Sequence, residues 1–382
     1  MSAPREARPT IRFVDEYCDL YRGLFSDVRM FEAFKFLHLG MISDIKRKSL
    51  PAIAKAVGLE DEQGLHHCLS ESPWQASELR QSRLQLILAL VKEQPLTLLI
   101  DETGDCKKGS TTDYVKRQYI GNVGKRENGI VVVTAYGLFA GMVVPLWFEV
   151  YKPRERLKAE DVYQSKPQIA AGMMQRYLRE IVYGTVRQTR YWQITTDPET
   201  LPKNSTWFVQ SHAPALKLIE IGNVYGLRTW VEYGLKHSKD DLGWADFRLT
   251  DYAEIEKWWE IVMSAFLMVS LFATQFNQSC PLSHQLFTQH PWWSQQNGWK
   301  ALLNNLRLVI APLISFSGIQ RWLEVVPIPA LRMGFAQLIA LMNRFYCPVV
   351  HQLNLQRLLL TCLIGRRRWR WQNLRYASFS SA

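Results

Sequence analysis

No two cysteines in this chain are spaced as a CxxC pair. The six cysteines, Cys18, Cys68, Cys106, Cys280, Cys347 and Cys362, are scattered. That spacing offers no common zinc site and no disulfide framework, and it fits reduced thiols in the cytoplasm. The opening residues, MSAPREARPT, lack the apolar core of a signal peptide. The most apolar run, residues 261–273, is too short to span a bilayer and reads as a buried helix, so no membrane partner is expected. There is no phosphate-loop GK[ST] spacing and no internal repeat. Acidic residues are outnumbered, 35 Asp and Glu against 46 Lys and Arg, for a net charge of +11. Such an excess favours a polyanionic partner, nucleic acid first, although a merely basic protein has the same balance.

With 382 residues, 47% hydrophobic and 21% charged, the chain is long enough for two or three domains and a sizeable core. Its 14 Trp point to core packing before base stacking. Residues 11–94 carry apolar positions at helical spacing. Within them Ser49 and Pro51 open a short helix, AIAKAVGL, which Gly58 ends, and a second short helix follows around His66, His67 and Cys68. Short helix, turn, short helix is the outline of a DNA-binding helix-turn-helix and also of small bundles. The two adjacent histidines point apart on a helix and read as structural.

At Leu96 the pattern changes to LTLLI, a run of strand length that ends in Asp101 and Glu102. A buried strand ending in an acid can present a metal ligand, and an Asp there can equally cap a turn. A basic, glycine-containing loop is expected next, with Lys107 and Lys108 able to meet a DNA backbone. GIVVVTAYGLFAG and MVVPLWFEVY then read as antiparallel strands about a glycine turn. Three strands with an acid on the first make half of a ribonuclease H-like sheet. A helix follows from Lys166 and Pro167, then strands RYLREIVYG, RYWQITTD and STWFVQSH. A long helix is expected over residues 243–276. Helices over 299–308 and 331–344 follow, with Pro327, Pro329 and Pro348 as breakers. The tail holds Arg366, Arg367, Arg368, Trp369, Arg370 and Trp371, either a phosphate grip or a solvated basic end.

The remaining stretch, YGLRTWVEYGLKHSK at residues 225–239, carries the most chemistry. On a helix at about 100° per residue, Tyr225, Arg228, Glu232, Lys236 and Lys239 fall within an arc of roughly 80°. Val224, Leu227, Val231 and Leu235 fill the neighbouring arc. A carboxylate between Arg and Lys suits a place where a metal and a phosphate meet. The same face also fits a solvated amphipathic helix.

Tyr225-x2-Arg228-x3-Glu232-x6-Lys239 resembles the Glu-containing signature of DDE transposases from bacterial insertion sequences. DETGDCKKGSTTDYVKRQYIGNVGKRENG, LHHCLSESPW, LGWADFR and WWEIVMSAF are similar to the insertion-sequence 701 group of that superfamily, over about residues 30–345. The resemblance implies an α/β fold: a ribonuclease H-like mixed sheet core, an N-terminal helical domain and C-terminal helices. The implied regions are 1–94 for DNA binding, 95–276 for catalysis and 277–382 for the helical end with its basic tail. It further implies Mg²⁺ or Mn²⁺ held by acids, Asp101 and Glu232 among them, and double-stranded DNA, element ends and target, as substrate. Tyr225, Arg228 and Lys239 would touch that DNA, and such proteins work as oligomers. The chain departs from the family near residues 174–177, where the block carrying the second Asp is missing. Asp197 is the nearest strand-end Asp that could replace it. Without it the chain would be an inactive, internally deleted copy that only binds DNA.

Overall fold

The computed structural model describes residues 5–92, 94, 96–121, 123–177, 190–195, 197, 199–202, 206–211, 217, 220, 223, 226–277 and 282–363. The sheet is built on β3 (Lys125–Phe139), whose β-branched run suits a strand covered on both faces. Ile130, Val131, Val132, Val133 and Ala135 are all buried. β1 (Thr97–Cys106), β2 (Lys116–Ile120) and β4 (Met142–Val150) each pair with it antiparallel. β3 and β4 form the expected hairpin, joined by Ala140 and Gly141 at φ of 49° and 76°. Two positive φ values are what a two-residue turn between twisted strands requires. β5 (Arg190–Thr195) and β6 (Thr206–Ser211) make a second, two-stranded antiparallel sheet.

Three expectations for this region are corrected. β1 does not stop at Asp101 but continues to Cys106, because β3 is long enough to give every residue a partner as far as Gly129. Asp101, opposite Thr134, therefore sits in mid-strand. The stretch read as a loop contains β2, and β3 begins within it, since residues 116–120 pair with residues 125–129. A mixed sheet was expected, yet all pairings among the described residues are antiparallel. Parallel neighbours need crossover segments of a dozen or more residues. After α6 (Lys166–Tyr177), the described strands β5 and β6 pair with each other instead. Most of RYLREIVYG lies outside the described residues.

The N-terminal helices are α1 (Arg12–Asp19), α2 (Val28–Ile42), α3 (Leu50–Val57), α4 (Gln63–Ser70) and α5 (Ala76–Val91). The short pair α3 and α4 is the one read from the sequence. α7 (Arg228–Asp240) is the signature helix, and α8 (Tyr252–Ser270) is buried along nearly its whole length against α2, α5 and β4. α8 was expected to begin at residue 243. It begins instead where the Asp251 side chain accepts from the Ala253 amide at 2.8 Å. The residues before it fold back, with Trp244 stacked on Trp259 at 4.8 Å, and Trp258 Nε1 donating to the Gly243 carbonyl.

A single contiguous core runs from Ile11 to Val350 across helices and sheet. Beneath it lies a closed ionic cluster. Arg80 pairs with Glu256 and Glu260, and Arg83 pairs with Glu260 at 2.9 Å and donates to the Pro145 carbonyl. This fastens α5 and α8 to the edge of β4. Toward the C-terminus, α9 (Trp299–Val325), α10 (Pro329–Met342) and α11 (Pro348–Leu363) follow. By length and composition α9 could cross a membrane, but its first half packs into the core at Trp299, Leu303, Leu306 and Ile310. Pro329 and Pro348, expected as breakers, each open a helix, where a missing N–H costs nothing. The Arg366–Trp371 run lies outside the described residues.

Candidate active site

α7 lies against the sheet because its sequence lets it come close. Val231 and Leu235 are buried, and Leu227 is partly so. A Cβ added at Gly234 would stand 3.0 Å from the Tyr136 ring, so glycine allows this approach without a shift of the ring or the helix. The roughly 1 kcal/mol that glycine costs a helix is offset by that contact. One turn on, Ser238 Oγ and Tyr136 Oη share a hydrogen bond of 3.0 Å. The helix is thus keyed to one strand residue at two points.

That seating puts the Glu232 and Arg228 charges within electrostatic reach of Asp101. The Asp101 carboxyl is half-buried, and its Oδ1 accepts the Glu102 amide at 2.9 Å. Burial pushes its pKa up. The Glu102 amide and the Arg228 guanidinium oppose that shift, while the Glu232 carboxylate adds to it. Arg228 also pairs with Glu232 at 3.2 Å, both side chains being more than half exposed. Glu102, on the opposite face of β1, holds Lys166 at 2.9 Å. The centre is therefore two acids that repel each other beside one guanidinium. Two such oxygen donors fit a hard divalent cation in type, because a cation between them would relieve the repulsion.

The cations divide. Lys239 Nζ is 2.7 Å from Asp105 Oδ1 and donates to the Gly104 carbonyl at 2.8 Å. Lys107 Nζ stands 3.5 Å from the centroid of Phe247, and burial lowers its pKa. Lys108 is exposed. Tyr225 lies outside the described residues. Asp105 went unremarked in the sequence, although strand alternation places residues 101, 103 and 105 on one face. That alternation was the available signal, hidden by the reading of residues 105–129 as loop.

Asp197 follows β5 and shapes its own turn. Its Oδ2 accepts the Thr200 hydroxyl, its Oδ1 accepts the Glu199 amide at 3.0 Å, and these bonds lower its pKa. Among the charges acting on Asp101 are Arg228, Glu232 and Glu102. Among the described residues, no three of His, Cys, Asp and Glu gather closely enough to hold a metal.

An acid on the first strand thus lies within the electrostatic reach of a Glu on a helix that packs on that strand. The family profile described as DDE superfamily endonuclease matches residues 20–198. A protein of Microchaete diplosiphon named "Probable transposase for insertion sequence element IS701" is 50% identical over 329 aligned residues, with 67% of this chain and 87% of the relative covered. The chain belongs to the IS701 group of DDE transposases. The match itself is uneven. It extends over 329 positions, whereas 67% of 382 residues is only about 256. About 73 aligned positions of the relative thus have no residue of this chain opposite them.

Proposed function

We propose that this chain is a transposase that nicks DNA at the ends of an insertion sequence and joins the freed 3′-hydroxyl to target DNA. The observation that carries the proposal is that α7 packs on β1 and that the Arg228 and Glu232 charges act on Asp101. Asp101 and Glu232 would hold Mg²⁺ or Mn²⁺, and Asp197 is the one further acid proposed to join them. When bound, such metals supply activation of water or a 3′-hydroxyl for in-line displacement at phosphorus. Arg228, with Tyr225 and Lys108, would face the DNA backbone and offset its charge. Lys107 stands at the margin, its ammonium over Phe247. The antiparallel β4–β3–β1 order supports a ribonuclease H-like core. Within that reading, residues 1–94 would grip element ends with α3 and α4, residues 95–276 would act, and residues 277–382 would complete the assembly. We place the working protein in the cytoplasm, as an oligomer on DNA.

A second reading is favoured by one observation. The 73 or so positions without counterpart, with Asp197 committed to its own turn, support a catalytically inactive, internally deleted copy that binds DNA only. The missing stretch would be the block with the second Asp, between α6 and β5. One assay separates the two: Mg²⁺- or Mn²⁺-dependent nicking of duplexes carrying the gene's own flanks. Wild type is run beside Asp101→Asn, Asp197→Asn and Glu232→Gln. Cleavage lost in all three variants supports the transposase with Asp197 in the site. Cleavage that survives only in Asp197→Asn assigns the third ligand elsewhere. Flanks that are bound but never cut support the inactive copy, and flanks neither bound nor cut defeat both readings.

A further inference from the structure

The signature helix meets β1 twice. From Glu232 to Lys239 is seven helical residues, a rise of about 10.5 Å. From Asp101 to Asp105 is four strand residues, about 13 Å. A helix running along the strand in the same direction therefore touches it near both acids. The two contacts differ in solidity. Arg228 and Glu232 are 56% and 55% exposed, whereas the Lys239 and Asp105 side chains are 16% and 5% exposed. Long exposed side chains place a helix poorly, and a buried, hydrogen-bonded pair places it well. Lys239 adds a bond to the Gly104 carbonyl, so it reads both backbone and side chain of β1. Asp105 Oδ2 has no hydrogen-bond partner among the described residues. Removing Lys239 would leave a buried carboxylate stranded.

We propose that Asp105 is a positioning residue, which draws Lys239 into the protein and so seats α7 on β1 with Glu232 at Asp101. Lys239 then belongs to the framework of the free protein and not to its DNA-contacting surface. The proposal rests on the reading of Asp101 and Glu232 as one metal site.

Two readouts on the full chain test it. Brief acetylation, followed by mass spectrometry, compares Lys239 with the exposed Lys236. Electron paramagnetic resonance of free Mn²⁺ gives the metal affinity. In wild type, Lys239 reacts at least about tenfold more slowly than Lys236, because it must open to react. In Asp105→Asn, Lys239 becomes as reactive as Lys236, and Mn²⁺ affinity falls by about tenfold, as when an outer partner of a metal ligand is lost. Lys239→Arg, able to keep both contacts, stays within about threefold of wild type, and the exchange Asp105→Lys with Lys239→Asp recovers part of the loss. If Asp105→Asn loses its fold by circular dichroism, Lys239→Gln against Lys239→Arg carries the same comparison. A wild-type Lys239 as reactive as Lys236 overturns the proposal. So does an unchanged Mn²⁺ affinity once the pair is broken. If wild type and Glu232→Gln bind Mn²⁺ alike, the metal-site reading fails instead, and acetylation alone judges the tether.

Discussion

Two groups of acids and arginines in this protein use the same side chains for opposite ends. In the cluster of Arg80, Arg83, Glu256 and Glu260, the Glu260 carboxylate is fully buried and each of its oxygens meets a guanidinium. In the group of Asp101, Glu232 and Arg228, the acids are half-exposed, they repel, and one arginine serves both. The first is buried and closed around a carboxylate paired at both oxygens, and it holds α5, α8 and β4 together. The second is open and brings like charges near each other, which suits the proposed metal site. Burial of paired opposite charges suits framework, and partial burial of like charges suits the proposed site.

The largest effect should come from the closed group. Glu260→Ala leaves the buried Arg83 without a carboxylate and Arg80 with Glu256 alone, and should destabilise the protein by about 3–5 kcal/mol in urea unfolding. A loss no larger than that of a surface substitution would erase the contrast. Next is Gly234→Ala, whose methyl group would stand 3.0 Å from the Tyr136 ring and force a shift of the ring or the helix. Set against the roughly 1 kcal/mol of helix propensity gained, the net cost should be no more than about 2 kcal/mol, and the shift should weaken Mn²⁺ binding in isothermal titration.

Asp101→Asn should act in the other direction. The folded-state pKa of Asp101 is raised, so the folded protein holds that proton more tightly than the unfolded chain. Its contribution is therefore favourable at low pH and is lost as pH rises through the unfolded and then the folded pKa. At neutral pH the neutral amide should stabilise the protein, by less than about 1 kcal/mol because the group is part-exposed. The gain should vanish in acid, below the ordinary Asp range, as stability curves at several pH values would reveal. The smallest change is expected from Glu232→Gln, within about 0.5 kcal/mol of wild type, since its pair with Arg228 is solvent-exposed.

Elements with a strong period were legible in the sequence. The β3–β4 hairpin, the short α3–α4 pair, α6 and α7 were all read from apolar spacing and from glycine or proline punctuation. The acids at Asp101 and Glu232 were read from a strand run and a helix arc, and the Glu232 charge acts on Asp101 in the folded chain. What was not legible depended on partners distant in sequence. β1 reaches Cys106 and β2 exists only because β3 supplies their hydrogen bonds, and polar residues such as Lys116, Arg117 and Gln118 gave no apolar alternation to announce it. The start of α8 was hidden because Trp244 and Phe247 look like more of its apolar face, whereas they pack back on Trp259. The role of Lys239 was hidden for the same reason, as its buried partner Asp105 lies 134 positions earlier in the chain.

The claim that matters most is that the signature helix delivers Glu232 to Asp101. It can be tested without catalysis by Asp101→Cys with Glu232→Cys, in a background where the exposed Cys106 is replaced by Ser. Cd²⁺ binds paired thiolates far better than single ones. The account predicts a strong ultraviolet thiolate–cadmium band in the double variant and only a weak one in either single variant. A folded double variant whose band matches those of the singles would contradict it.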